Sequence, residues 1–165
     1  MNAKDDDLYS RIMELIGKSI HDQGFKQLVS DLGEPSIVDD EAYHSYEFRD
    51  TGFAIWVNPE TGKVFATHFL FDTLDIRKGV FMRFPGSLLN GIRCSELRET
   101  VHGKMGGAPK RSRVQKGVTD PSRWYQIDSY DSEDKVLDFG FNAETQDIAG
   151  LRIINLFLAP SLSKS

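Results

Sequence analysis

The sequence predicts an α+β fold built from two tandem units, each a helical stretch followed by an antiparallel meander, with the helices packed on one face of a combined sheet. Two observations lead there. Asn58-Pro59-Glu60-Thr61 returns as Asn142-Ala143-Glu144-Thr145, each after an alternating apolar run, Phe53, Ile55 and Val57 in one copy and Leu137, Phe139 and Phe141 in the other. All seven pairs share one offset, 142 − 58 = 84, and alternation running into a turn is a hairpin signal. Upstream, Leu32-Gly33-Glu34-Pro35 closes one helical stretch and Met105-Gly106-Gly107-Ala108-Pro109 closes another. The expected units are residues 1–78, with an N-terminal helical hairpin, and 79–165, joined in one compact domain.

Element by element, Leu8, Ile12, Leu15, Ile16 and Ile20 mark one face of a helix over about Asp5 to Ser19, with Asp5 to Asp7 at the end where the helix dipole favours negative charge. Gly24 breaks it. Phe25, Leu28, Val29 and Leu32 fall at helical spacing, Gly33 supplies the position beyond the helix that takes positive φ, and Pro35 forbids continuation. Three strands follow, Ala42 to Phe48, Gly52 to Asn58 and Lys63 to Phe71, punctuated by Asp50-Thr51-Gly52 and Pro59-Glu60-Thr61-Gly62. Val80 to Gly86 reads as one more strand. Ser95 is the expected N-cap of a short helix carrying Leu97, Val101 and Met105, weakened at Gly103 by ~1 kcal/mol relative to alanine. Lys110 to Pro121, with Lys110, Arg111, Arg113 and Lys116 and no apolar periodicity, reads as a mobile basic loop. Trp124 to Tyr130, Lys135 to Asn142 and Gly150 to Leu158 complete the second meander, and the tail from Ser161 reads as frayed.

Composition narrows function by exclusion. A length of 165 residues suffices for a core without disulfides, and Cys94 is the single cysteine. Met1 to Asp7 is acidic where a signal peptide would be basic, and no apolar run approaches the ~20 residues that span a bilayer. A cytoplasmic location is expected. Twenty Lys plus Arg against twenty-five Asp plus Glu, a net charge of −5, argues against nucleic acid or an anionic membrane and suits a partner with a basic surface.

A helix, a Leu-Gly-x-Pro type stop and a small meander, written twice over residues 8 to 158, resembles the fold of the secreted β-lactamase inhibitor proteins and the single-unit outer-membrane assembly lipoproteins. It is also similar to small cytoplasmic proteins that neutralise toxins in bacterial competition. The resemblance implies a sheet face that grips a target and loops that reach into its active site. With Cys94 its single cysteine, the chain departs from the disulfide-bonded secreted inhibitors, and on this reading neither a signal peptide nor an N-terminal lipid anchor is expected.

Catalytic and metal chemistry find little support in the sequence. His21, His44, His68 and His102 stand at no metal-ligand spacing, so no metal or cofactor is expected. Cys94 beside Arg93 could be a nucleophile, but no histidine is placed by sequence to serve it, and a packed thiol at a helix entrance is the simpler reading. The glycines before Lys110 end a helix where a phosphate loop would begin one. What stands out is acids interleaved with aromatics: Asp39, Asp40, Glu41, Tyr43, Tyr46 and Glu47 in the first unit, and Trp124, Tyr125, Asp128 and Tyr130 in the second. Tyrosine and tryptophan give large, rigid contact area with a polar tip, and neighbouring acids steer a basic partner. Phe48 and Ile127 on these strands read as core. The expectation is a non-enzymatic binding module, in its most specific form an immunity protein that occludes the active site of a cognate toxin. The alternatives are an enzyme using Cys94 or a carboxylate near His44, and a regulatory or scaffolding domain.

Overall fold

The computed structural model describes residues 7–71, 81–117 and 122–161. Among them run helices α1 (Leu8–Met13) and α2 (Gln23–Leu32), strands β1 (Ser36–Asp39), β2 (His44–Phe48), β3 (Phe53–Val57) and β4 (Val64–Leu70), and a 3₁₀ turn (Leu89–Gly91). Helix α3 (Arg98–Lys104) and strands β5 (Arg111–Lys116), β6 (Trp124–Ser132), β7 (Lys135–Asn142) and β8 (Ile148–Asn155) follow. All eight strands join one sheet in the order β1-β2-β3-β4-β8-β7-β6-β5, every neighbouring pair antiparallel.

This sheet corrects the expected architecture of two helix-plus-meander units. β4 pairs with β8 from Ala66↔Ile154 to Leu70↔Gly150, so hydrogen bonding runs unbroken across the middle of the molecule. The helices are short, with α1 spanning 6 residues, α2 10 and α3 7, and α+β describes the chain only loosely. A single apolar cluster takes in Leu8, Phe25, Phe53, Phe69, Val101, Phe139, Leu151 and Ile153, from both ends of the sequence. The repeated turns are nevertheless closed alike. Gly62 N–H donates to the Asn58 carbonyl and Gln146 N–H to that of Asn142, while each asparagine Oδ1 accepts the N–H two residues on, from Glu60 and Glu144. The likeness is local.

Other expectations need adjustment for physical reasons. The first helix stops at Met13, and Ile16 and Ile20 still pack on the core from the turns that follow; Asp5 and Asp6 lie outside the described residues. Gly24 does not break a helix but sits in the first turn of α2, where its N–H bonds the Asp22 N-cap carboxylate at 2.9 Å. Gly33 closes α2 with φ 96°. Edge strand β1 follows Pro35 directly and has no apolar alternation to announce it. Phe81 to Pro85 forms no strand, although Met82 and Phe84 donate to the Arg49 and Leu70 carbonyls; Val80 lies outside the described residues. Ser95 does not cap α3: it has φ 69°, and Leu97 precedes the helix. The basic segment expected as a loop is strand β5, paired with β6 from Arg111↔Ser129 to Lys116↔Trp124. Its six residues are all exposed, so no apolar period marks it. Residues 118–121 lie outside the described residues.

Two β-bulges set which side chains face where. Opposite Trp56 and Val57 the register skips Phe65, and opposite Gly140 and Phe141 it skips Ala149. On one face Phe53, Ile55, Val57, Leu137, Phe139 and Phe141 pack beneath the helices, while Ala54, Trp56, Phe65 and Ala66 form a separate small cluster on the other. Gly150 sits on the seam, where a Cβ would stand 2.6 Å from the Phe69 carbonyl oxygen. Gly150→Ala should therefore destabilise by about 2 kcal/mol or more, whereas Gly103→Ala, with nothing within 4 Å of the added Cβ, should stabilise by about 1 kcal/mol. Urea unfolding of both variants checks the pair.

Candidate functional site

The face turned away from the helices carries a groove of about 460 Å³. Val38, Asp40 and Tyr43 border it from the β1–β2 side, Arg113, Gln115 and Lys116 from β5. Since β1 and β5 are opposite edges of the sheet, the sheet is curved enough for both rims to reach one cavity. Between them lie Trp56, His68, Arg152, Asp138, Gly140, Gly150, Ile127 and Tyr125. Alternation along the strands explains the set, because Asp138 and Gly140 occupy the positions between the core residues Leu137, Phe139 and Phe141.

A polar row crosses this face in register: His68 lies opposite Arg152, Arg152 opposite Asp138, and Asp138 opposite Ser129. The Ser129 hydroxyl donates to Asp138 Oδ1 at 2.5 Å, and Arg152 Nη2 donates to Asp138 Oδ2 at 2.7 Å. Arg152 also lies 5.9 Å from the centre of the Trp56 ring, which stacks on Tyr43 at 4.4 Å. Burial, reinforced by the nearby Arg152 charge and only partly opposed by Asp138, pushes the His68 imidazole down to about 3, so it is neutral at physiological pH.

The residues singled out from sequence divide between the two faces. Asp40, Tyr43 and Tyr125 line the groove, whereas Asp39 and Glu41, the exposed neighbours of Asp40 in the chain, do not line it. Asp39 Oδ1 accepts from His44 Nδ1 at 2.6 Å. Glu47 is buried, held by Arg49 through Nη2 at 2.8 Å and Nε at 3.1 Å. Trp124 is exposed at the end of β6, with Lys116 Nζ 5.2 Å from its ring centre. Tyr46 and Tyr130 point to the helical side, Tyr46 edge-on to Phe25 and Tyr130 bonding the Gly107 carbonyl at 2.8 Å. Phe48 is core as expected, but Ile127 lines the groove. Cys94 is half-buried against the main core.

Asp128, also on the helical side, is fully buried and accepts from Arg98 Nε at 2.6 Å and Nη2 at 3.0 Å, from the Ser112 hydroxyl at 2.7 Å, and pairs with His102 Nε2 at 2.7 Å. It clamps α3 and β5 onto β6. Burial alone would raise its carboxyl, but the hydrogen bonds from Arg98, His102 and Ser112 more than offset that and hold it below the usual carboxylate range. Among the described residues no group of three His, Cys, Asp or Glu side chains is arranged to hold a metal, and no helix is long and apolar enough to cross a membrane.

Sequence reasoning missed Trp56, His68, Arg113, Arg152 and the two glycines. One signal was available: Asp138, Gly140, Gly150 and Arg152 interrupt otherwise apolar strands that a central position would keep apolar.

No protein-family description matches the chain, and no curated protein matches it. Among solved structures, it resembles a cysteine-rich secretory protein of Staphylococcus aureus with a TM-score of 0.51 and 11% identity, over 87% of this chain and 44% of that one. An extracellular Bacillus anthracis protein containing an SCP domain gives 0.50 and 17% over 87% and 45%. A DUF4309 family protein of Bacillus subtilis gives 0.48 and 15% over 92% and 95%. The chain thus spans less than half the length of the first two, and at these identities the likeness concerns the fold alone.

Asp128→Asn should cost about 3 kcal/mol near neutrality, because it leaves Arg98 facing an uncharged amide in a buried site. The carboxyl titrates lower in the fold than in the unfolded chain, so its stabilisation is complete above the unfolded value and is lost as pH falls through the folded one. The gap between parent and variant in urea unfolding should accordingly shrink between neutrality and about pH 2.

Proposed function

We propose that this chain is a non-enzymatic protein-binding module that takes a segment of its partner into the open-face groove. Its most specific form is a cytoplasmic immunity protein, similar to those of bacterial competition systems, which neutralises a cognate toxin by occluding the toxin's active site. The observation that carries the reading is the groove itself: a curved sheet face left bare by the helices, floored by stacked Tyr43 and Trp56 and bordered by both edges of the sheet. Rigid aromatic area in a concave, partly desolvated setting is where binding energy concentrates. Asp39, Asp40 and Glu41 at the β1 rim would draw basic side chains of the partner and speed encounter more than they tighten the complex.

The test is capture of the partner from the native host, followed by binding kinetics. Gly140→Leu, whose first added carbon would meet only Ile127 Cδ1 at 3.5 Å, fills the groove, and Tyr43→Ala removes its stacked wall. Each should weaken binding by about 2 kcal/mol, or ~30-fold, while Lys26→Glu on the outer side of α2 should leave it unchanged. Retention of full affinity by folded Gly140→Leu protein would refute the reading.

Neutralising Asp39, Asp40 and Glu41 together should slow association several-fold at low salt and leave dissociation nearly unaltered. Kinetics at two ionic strengths report it directly.

A further inference from the structure

Within the groove the side-chain layer has a gap. Gly140 and Gly150 are directly paired across β7 and β8, so two adjacent positions on this face carry no side chain. Gly150 has a steric reason to be glycine, since its Cβ would collide with the Phe69 carbonyl. Gly140 has none: an added Cβ meets only Ile127 Cδ1, at an ordinary 3.5 Å. The space above it is therefore room of side-chain size.

Two guanidinium groups border that room. Arg152 is the next residue on β8 facing the same way as Gly150, and Arg113 stands opposite Ile127, which itself stands opposite Gly140. Arg113 is thus two strands, or about 10 Å, from the Gly140 backbone, and it lines the groove. Arginine has five N–H donors. Among the described residues Asp138 is the one hydrogen-bonding partner of Arg152, through Nη2, and the buried Nε has none. Asp138 is already paired with Arg152, so an incoming carboxylate would share that guanidinium with it and draw the rest of its attraction from Arg113 on the opposite wall. His68, kept neutral by burial, adds no competing cation next to Arg152. Trp56 on one side and Ile127 on the other supply apolar walls.

We propose that the Gly140–Gly150 pit, between Arg152 and Arg113, is the anchor for a carboxylate side chain, Asp or Glu, carried next to an apolar residue on the bound protein. This rests on the binding-module reading and sharpens it. The partner segment is bipolar, with its basic side chains toward the Asp39 to Glu41 rim and its carboxylate toward the pit. A planar carboxylate matches the fork of a guanidinium, and a charge-assisted pair in a partly dry groove is stronger than a neutral amide contact.

The experiment uses the full chain with Trp124→Phe, which leaves Trp56 as the sole tryptophan, and follows its emission on titration with the capped tripeptide Phe-Glu-Leu and its Phe-Gln-Leu counterpart. The glutamate peptide should bind about tenfold or more tighter than the glutamine peptide. Arg152→Gln should abolish that ratio, and Arg152→Lys, which keeps the charge without the fork, should retain part of it. A ratio near one on the parent protein overturns the proposal without recourse to any variant, as does a ratio that survives in folded Arg152→Gln protein. N-acetylphenylalanine, a free terminal carboxylate, is the comparison ligand. If it binds and the capped glutamate peptide does not, the pit reads a chain terminus and the side-chain assignment fails. If Gly140→Leu loses the captured partner while the two peptides bind alike, the anchor is wrong and the binding module stands. If the peptides are discriminated but Gly140→Leu still holds the partner, the pit is a carboxylate site apart from the partner's docking surface, and both the groove-docking reading and the anchor fall.

Discussion

The pairing of β4 with β8 is the constraint on which the rest of the molecule depends. It brings Ala66 to Leu70 alongside Gly150 to Ile154, pairing residues 80 to 88 positions apart in the chain, and makes two four-stranded meanders into one sheet. The backbones approach so closely there that Gly150 has no space for a Cβ against the Phe69 carbonyl. On one side of the seam Phe69, Leu151 and Ile153 are fully buried in the common core. On the other, His68 and Arg152 are brought face to face in the groove. One act of strand pairing thus builds the core and the candidate site together.

The two bulges divide the labour between the faces. By skipping Phe65 and Ala149 they let Val64 and Ile148 stay under the helices while Ala66 and Gly150 keep to the open side. A strict period of two would have sent one of these groups to the wrong face. Bulges also increase local twist and bend a sheet, which suits a sheet whose opposite edges both border one cavity.

Charge is handled differently on each side. Beneath the helices, Asp128 is buried with two basic partners and a hydroxyl, so its hydrogen bonding is spent within the protein and its effect is to fix α3 and β5 in place. In the groove, Arg152 is only partly used: Asp138 takes Nη2, Nε is buried without a partner, and the residue lines the cavity. A saturated network is a structural clamp, and an unsaturated one bordering a cavity is a place for a ligand.

Local pattern in the sequence determined the strands from Ala42 to Phe71 and from Trp124 to Asn155 within a few residues, the Asn58 and Asn142 turns and the Gly33 helix stop, since each depends on periodicity or on a residue's own backbone preference. Strand β5 escaped because its residues are exposed on both sides and leave no alternation to read, and β1 because four residues beside a proline show none. Which acid-aromatic residues face outward was equally hidden: Asp128 and Tyr130 share the alternation of Tyr125 and Ile127, but which phase meets the helices depends on where α3 docks. Only the tertiary structure decided that the two meanders fuse through β4 and β8, because pairing between distant segments is a property of shared core and not of either segment alone. The same pairing set Gly140 beside Gly150 and Arg152 beside His68, placing residues from β4, β7 and β8 in one groove that no local stretch of the chain contains.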